Sequence, residues 1–511
     1  MTDLKQTRAL TGIPGLDDVL CGGLPAGRLY LLQGDPGVGK TTVALSFLRE
    51  SARAKERCLY ITLSETEEEL RAVADSHGWS LEGITVFEMK LAEETKASDE
   101  YTLFHPAEVE LSEAMDTLLQ EVERVKPMRV VFDSLSEIRL LAQSSLRYRR
   151  QILALKQHFA GSGCTVLLLD DRTAEVGDTH LQSLAHGVIE LEQLAPIYGA
   201  ERRRLRIIKL RGVRYRGGFH DYKIATGALV VYPRLIASEH RAEPAVENAS
   251  SGIAGFDEML GGGLPRGGSA LIMGPPGTGK SVIAMQFVVA AAKRGEKAAF
   301  FAFDEATTTI LARAQGLCLP LQQLTKDGLI QLQQIDPAEM SPGEFVHHVR
   351  AAVDDGARVV VIDSLNGYLN AMPAEHFLVV QLHELLTFLA QRGVTTLLVT
   401  AQHGLIGNAM VSPVDVSYLA DSVVLLRYFE SDGELRNAIS IMKKRTGPHD
   451  RAIRLFDVCR DGFRVGEPLS HLRGVFTGVP VPTSNGNGNG DGASHQGRRA
   501  PLEDSDDRRG A

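Results

Sequence analysis

Two octapeptides in this 511-residue chain have the residue types and spacing of a phosphate-binding turn. Gly34-Asp35-Pro36-Gly37-Val38-Gly39-Lys40-Thr41 and Gly274-Pro275-Pro276-Gly277-Thr278-Gly279-Lys280-Ser281 both read G-x-x-x-x-G-K-[ST]. Glycines at these positions let consecutive backbone N–H groups curl around phosphate oxygens at a helix N-terminus, where the helix dipole also favours an anion. Lys40 and Lys280 are expected to neutralise the β- and γ-phosphates of a nucleotide. The hydroxyls of Thr41 and Ser281 are expected to ligate Mg2+, and Thr42 is counted with the nucleotide-binding residues. A glycine-rich turn without a ligand is the alternative, and two copies, each after an apolar strand and opening a helix, argue against it.

Hydrolysis asks for more than a cradle. Mg2+ needs a second protein ligand, usually an Asp at the end of a neighbouring buried strand; Asp133 in RVVFDS and Asp363 in RVVVIDS are so placed. Each could instead cap a helix. Glu65, after CLYITLS, and Glu305, after AAFFAFD, are expected to orient or deprotonate the attacking nucleophile. A solvated charge at a strand end is the competing reading, and repetition is what favours catalysis. Gln402 and His403 in TAQHG end a predicted strand near the site, where a γ-phosphate sensor would fit; a satisfied core or loop role is the expectation.

The elements that must position these residues come as a duplication. TGIPGLDDVLCGGLPAGRLYLLQGDPGVGKT from Thr11 recurs from Ser251 as SGIAGFDEMLGGGLPRGGSALIMGPPGTGKS, a constant offset of 240 residues. That period is too long for a solenoid unit, so a whole domain is repeated. In each copy short apolar runs alternate with amphipathic stretches: LYLLQ, CLYITL, RVVFD, TVLLLD and GVIELE, then SALIMG, AAFFAF, RVVVID, TTLLVT and SVVLLR. This predicts an α/β fold, each copy a mostly parallel twisted sheet flanked by helices. The expected domains are 1–240 and 241–480. Ala237 to Ser250 reads as a polar linker, and 481–511, rich in Gly, Asn and charge, as a disordered tail.

Composition narrows the function classes. A net charge of −9 has the wrong sign for a protein whose default partner is nucleic acid or an anionic bilayer. The five cysteines are far apart with no CxxC, and read as reduced, mostly buried thiols. No secretory h-region opens the chain and no apolar run is long enough to span a membrane, so a cytoplasmic protein is expected.

The repeated [TS]GI-x-G-[LF]-D lead-in, the strand-end carboxylates and the tandem P-loops together resemble the KaiC family, the doubled RecA-like ATPases of circadian timing systems. The resemblance runs from about residue 8 to about residue 480. It implies a hexamer with nucleotide between subunits and a basic pair reaching in from the neighbour, matched by Lys209 and Arg211 in KLRG and by Lys443 and Arg445 in KKRTGPHD. It also implies autophosphorylation in the second domain, where SYLADSVVLLRY puts Ser417 on the family's Ser and Tyr418 where the family has Thr. A phenol is longer and reaches differently, so Ser417 is the expected phosphosite rather than Tyr418. Regulatory partners resembling KaiA or KaiB are implied as a class. Two departures follow: the family's paired strand-end carboxylates become Ser64-Glu65 and Asp304-Glu305, so the first domain is expected to depend on Glu65 alone, while Asp304 keeps a shorter acid.

Two other readings compete. A DNA motor with the same ATP site would need mobile basic loops, for which Arg202 to Arg204, Arg206, Arg211, Arg214 and Arg216 are the candidates. A nucleotide-gated scaffold with negligible turnover is the other, suggested by Ser64 and Tyr418.

Overall fold

The computed structural model describes residues 7–89, 106–172, 180–196, 199–240, 247–370, 378–402, 418–431, 433–460, 462–477 and 480–482. Val481 and Pro482, expected to begin the disordered tail, instead pair as a short strand with Leu472–Arg473, and from 483 onward the tail lies outside the described residues.

The first sheet has nine strands: β1 (Leu29–Gly34), β2 (Cys58–Thr62), β3 (Ile84–Glu88), β4 (Arg129–Asp133), β5 (Thr165–Asp171), β6 (Gly187–Leu194), β7 (Arg202–Leu210), β8 (Phe219–Ala225) and β9 (Ala228–Tyr232). Their order is β9-β8-β7-β6-β1-β5-β4-β2-β3. From β6 to β3 every pairing is parallel, and β7 to β9 extend the sheet antiparallel. Val, Leu, Ile and Phe fill the central strands because helices cover both faces, and separate apolar clusters form on the two sides. The second sheet repeats the plan: β10 (Ser269–Gly274), β11 (Lys297–Ala302), β12 (Ile330–Gln334), β13 (Ala357–Asp363), β14 (Thr395–Ala401), β15 (Ser422–Ser431), β16 (Glu434–Lys444), β17 (Arg454–Cys459) and β18 (Gly462–Pro468). Its order, β12-β11-β13-β14-β10-β15-β16-β17-β18, is the same topology.

In both sheets the P-loop strand sits between strands that come late in the chain, β5 and β6 or β14 and β15. Strand order therefore reverses beside β1 and β10, which opens a crevice at their carboxyl ends. Helices α1 (Lys40–Arg53) and α2 (Lys280–Lys293) leave from those ends.

The two halves are joined by more than a tether. Asp221 on β8 accepts a hydrogen bond from the Gly343 backbone N–H at 2.7 Å, and Lys223 reaches Glu344 at 3.4 Å, both on the first turn of helix Pro342–Asp354. Leu235 and Ala237 pack into the second half's own core, so the segment read as polar linker begins as buried structure. The thiols also differ from expectation. All five are free, but only Cys58 and Cys164 are buried; Cys21 and Cys318 are exposed and Cys459 is half-buried. Cys21 and Cys318 sit at positive φ in turns, φ 53° and 52°, which carries them to the surface. Among the described residues no helix is long and apolar enough to cross a membrane.

Candidate nucleotide site

Each P-loop closes on its strand through its lysine. Lys40 Nζ donates to the Gly34 carbonyl (2.9 Å) and the Asp35 carbonyl (3.0 Å); Lys280 Nζ donates to those of Gly274 (3.0 Å) and Pro275 (2.8 Å). Gly39 and Gly279 cap their helices at φ 98° and 88°, and neither makes a side-chain cap bond, so the first-turn N–H groups point into the crevice with no side chain covering them. A Cβ at Gly39 would come within 2.5 Å of the Ile224 side chain, which is why glycine is needed there. Thr42 is buried in the first turn of α1.

Both expected metal-ligand pairs meet. Thr41 Oγ1 donates to Asp133 Oδ2 at 3.2 Å, and Ser281 hydrogen-bonds Asp363. Burial pushes both carboxyls up, that of Asp363 to about 6, with the serine bond and the Arg313 charge pulling the other way. Burial likewise lowers Lys280 to about 8. A pocket that strains its own charges in this way suits a dense counter-charge such as a magnesium triphosphate.

Behind these pairs the halves diverge. The buried Tyr60 phenol donates to Asp133 Oδ2, whereas the second copy has Phe300 at the matching place. Glu65 lies beyond β2, in a turn fixed by Glu65 N–H to Thr62 Oγ1 (3.0 Å). Its Oε2 is buried with no hydrogen-bond partner, and burial, then the Asp133 charge, raises its carboxyl above the usual range. Glu305 instead pairs with Arg313, where the first copy has Val73. Asp304 accepts a hydrogen bond from Ser364. Gln402 is buried at the end of β14, its N–H on the Gly274 carbonyl (3.1 Å) and its Oε1 unpartnered, while His403 lies outside the described residues.

The family model described as "ATPase: KaiC" matches residues 9–236 and again 249–470. The chain belongs to the KaiC family. It is 26% identical over 483 residues to the circadian clock protein KaiC3 of Synechocystis sp., covering 92% of this chain and 94% of that one. The circadian clock oscillator protein KaiC of Synechococcus elongatus is 26% identical over 92% of this chain and 91% of its own length; that of Acaryochloris marina is 24% identical over 94% and 92%.

In this KaiC-family chain the two basic pairs occupy equivalent positions far from their own P-loops. Lys209 faces Val188, which faces Leu31, three rows before Gly34; Lys443 faces Val423, which faces Leu271, three rows before Gly274. At about 3.3 Å per row the backbone separation is about 10 Å along the strand, and Arg211 and Arg445 lie two rows further away. Lys209 donates to the Gln182 carbonyl and Arg211 to that of Ser183 (2.8 Å); Lys443 donates to Ala420 (2.9 Å) and Arg445 to Tyr418 (2.7 Å). Tyr418 is 55% exposed, and Ser417 lies outside the described residues.

The arginines weighed as a DNA channel are largely committed elsewhere. Arg204 pairs with Glu192, Arg206 with Glu190, Arg203 with Glu201 and Arg216 with Glu239, while Arg202 reaches the Pro337 carbonyl across the domain junction. Asp171, Tyr60 and Arg313 escaped the sequence reading. Superposing the two copies was the available signal, since each stands where its counterpart is Ala401, Phe300 or Val73.

Proposed function

We propose that the chain is an ATP-hydrolysing timing or signalling protein of the cytoplasm, working as a hexamer with nucleotide between subunits and autophosphorylating on Ser417. The supporting observation is that both P-loops meet a strand-end Asp through a hydroxyl, Thr41 with Asp133 and Ser281 with Asp363, while the cation pairs lie at the other end of each sheet. Relatives named as circadian clock proteins over more than nine-tenths of their length support the biological role. Domains 1–240 and 241–480 are the proposed units, and all five cysteines being free suits the compartment.

The chain's own groups divide the chemistry. Lys40 and Lys280 hold phosphate oxygens, and Thr41 with Asp133, or Ser281 with Asp363, would hold Mg2+. That ion, when bound, neutralises phosphate charge. In the first domain Glu65, half-buried and with a free oxygen, takes the proton of the attacking water. In the second domain Arg313 holds Glu305 and Ser364 holds Asp304, and these carboxylates would take the proton of the attacking nucleophile, the Ser417 hydroxyl, as the γ-phosphoryl group leaves ADP. Ser417 precedes in sequence Tyr418, whose carbonyl accepts a hydrogen bond from Arg445 on the rim that also carries Lys443.

Incubation with γ-labelled ATP and Mg2+, followed by mapping of labelled residues, tests this. Label on Ser417 together with phosphate release supports the proposal. Phosphate release without label leaves a plain ATPase, and neither product leaves a nucleotide-gated scaffold.

A further inference from the structure

The strand next to each P-loop strand ends differently in the two halves. Gly34 on β1 pairs with Asp171 on β5, and Gly274 on β10 pairs with Ala401 on β14, so Asp171 and Ala401 are equivalent by register. Asp171 Oδ1 lies 2.7 Å from Lys40 Nζ, and its Oδ2 accepts from Ser136 Oγ at 3.1 Å. An ammonium has three N–H donors. Those of Lys40 are all taken, by two carbonyls and this carboxylate; Lys280 spends two on carbonyls, and Ala401 brings no acceptor to the third.

From this arrangement, and resting on the P-loop reading above, we infer that Asp171 is an affinity-setting residue of the first site: its carboxylate competes with the incoming phosphate for the phosphate-binding lysine. The lysine side chain is buried and Asp171 only 28% exposed, so the pair is poorly screened and the competition is felt by the incoming phosphate. Asp171, held through its Oδ2 by Ser136, also keeps a like charge near that lysine. Both effects weaken nucleotide binding in the first domain and hasten exchange there. The second domain has no such competitor at that position and keeps its nucleotide longer.

The test uses the full chain carrying Lys280→Ala, which silences the second site, titrated with a fluorescent N-methylanthraniloyl ATP and Mg2+. Asp171→Ala, which copies the second domain, should tighten binding by about tenfold, the scale of one partly buried charge contact, and slow the exchange of bound probe. Asp171→Asn keeps shape while removing charge, and should tighten binding as well if the alanine variant folds poorly. Unchanged or weaker binding in a folded variant overturns the inference. Lys40→Ala in the same background serves as the control on the underlying reading: probe still bound there means that the P-loop assignment itself has failed, whatever Asp171 does.

Discussion

In the proposed mechanism Glu65 carries the first domain's chemistry because of what does not touch it. A carboxylate oxygen that is buried and unpartnered is a better proton acceptor than one neutralised by a cation, and Glu305 is so neutralised by Arg313. In the full chain with Lys280→Ala, Glu65→Gln should lower phosphate release by about 10²- to 10⁴-fold, the range of a lost general base; an unchanged rate would exclude the assignment. The pH dependence follows from the direction of the shift. Burial raises this carboxyl, the base works only when ionised, and so the rate should rise with pH along a limb lying above the ordinary carboxylate range. In Glu65→Gln the residual rate should lose that limb. A limb that persists in the variant belongs to another group.

At the scale of elements, His220 on β8 shows how a buried group ties a strand edge to pH. Its Nε2 donates to the Arg216 carbonyl (3.0 Å) while its Nδ1 accepts from the Arg234 N–H (2.8 Å), an arrangement open only to the neutral ring. Burial lowers it from 6.5 to about 4. Since the folded value lies below the unfolded one, the unfolded chain takes the proton first. Stability is then complete above about pH 6.5 and falls as pH drops toward 4, by about 3 kcal/mol in all. Urea midpoints at pH 7 and pH 5 should separate by more in the native chain than in His220→Gln; equal separations would place the acid sensitivity elsewhere. The same strands mark the limit of the sequence. The central parallel strands were legible because burial on both faces leaves uninterrupted apolar runs such as RVVVID. β7 to β9 and β16 to β18 hid because one face is half-exposed and the pattern mixes arginine and lysine with isoleucine, as in RRRLRIIKL. Of the site, the residues with a motif were legible and their local partners were not: Asp171, Tyr60 and Arg313 have ordinary neighbours in sequence and acquire meaning only when the sheet brings them to the P-loop.

For the whole molecule, strand register fixes which end of the sheet each charge occupies. Arg211 lies five rows from Gly34, about 16 Å along the strand, beyond the reach of its own side chain to its own phosphates. A first-domain site completed by these cations therefore needs a second chain, arranged head to tail so that one subunit's amino rim meets the next one's P-loop. Leu140 and Leu146, 70% and 79% exposed, offer apolar area for such a contact. The arrangement predicts complementation, read in the Lys280→Ala background so that only first-domain turnover is seen. Chains with Lys40→Ala lack a working P-loop but still present Arg211; chains with Arg211→Ala keep the P-loop but present no arginine. Each alone should turn over ATP poorly, since a trans cation contributes about 10³- to 10⁵-fold. Mixed and allowed to reassemble, about one interface in four joins an intact P-loop to an intact arginine if subunits combine at random, and turnover should recover to about that fraction of the parent's. A mixture no faster than the sum of its parts would mean that each site is completed within its own chain, and the hexameric mechanism would fall with it.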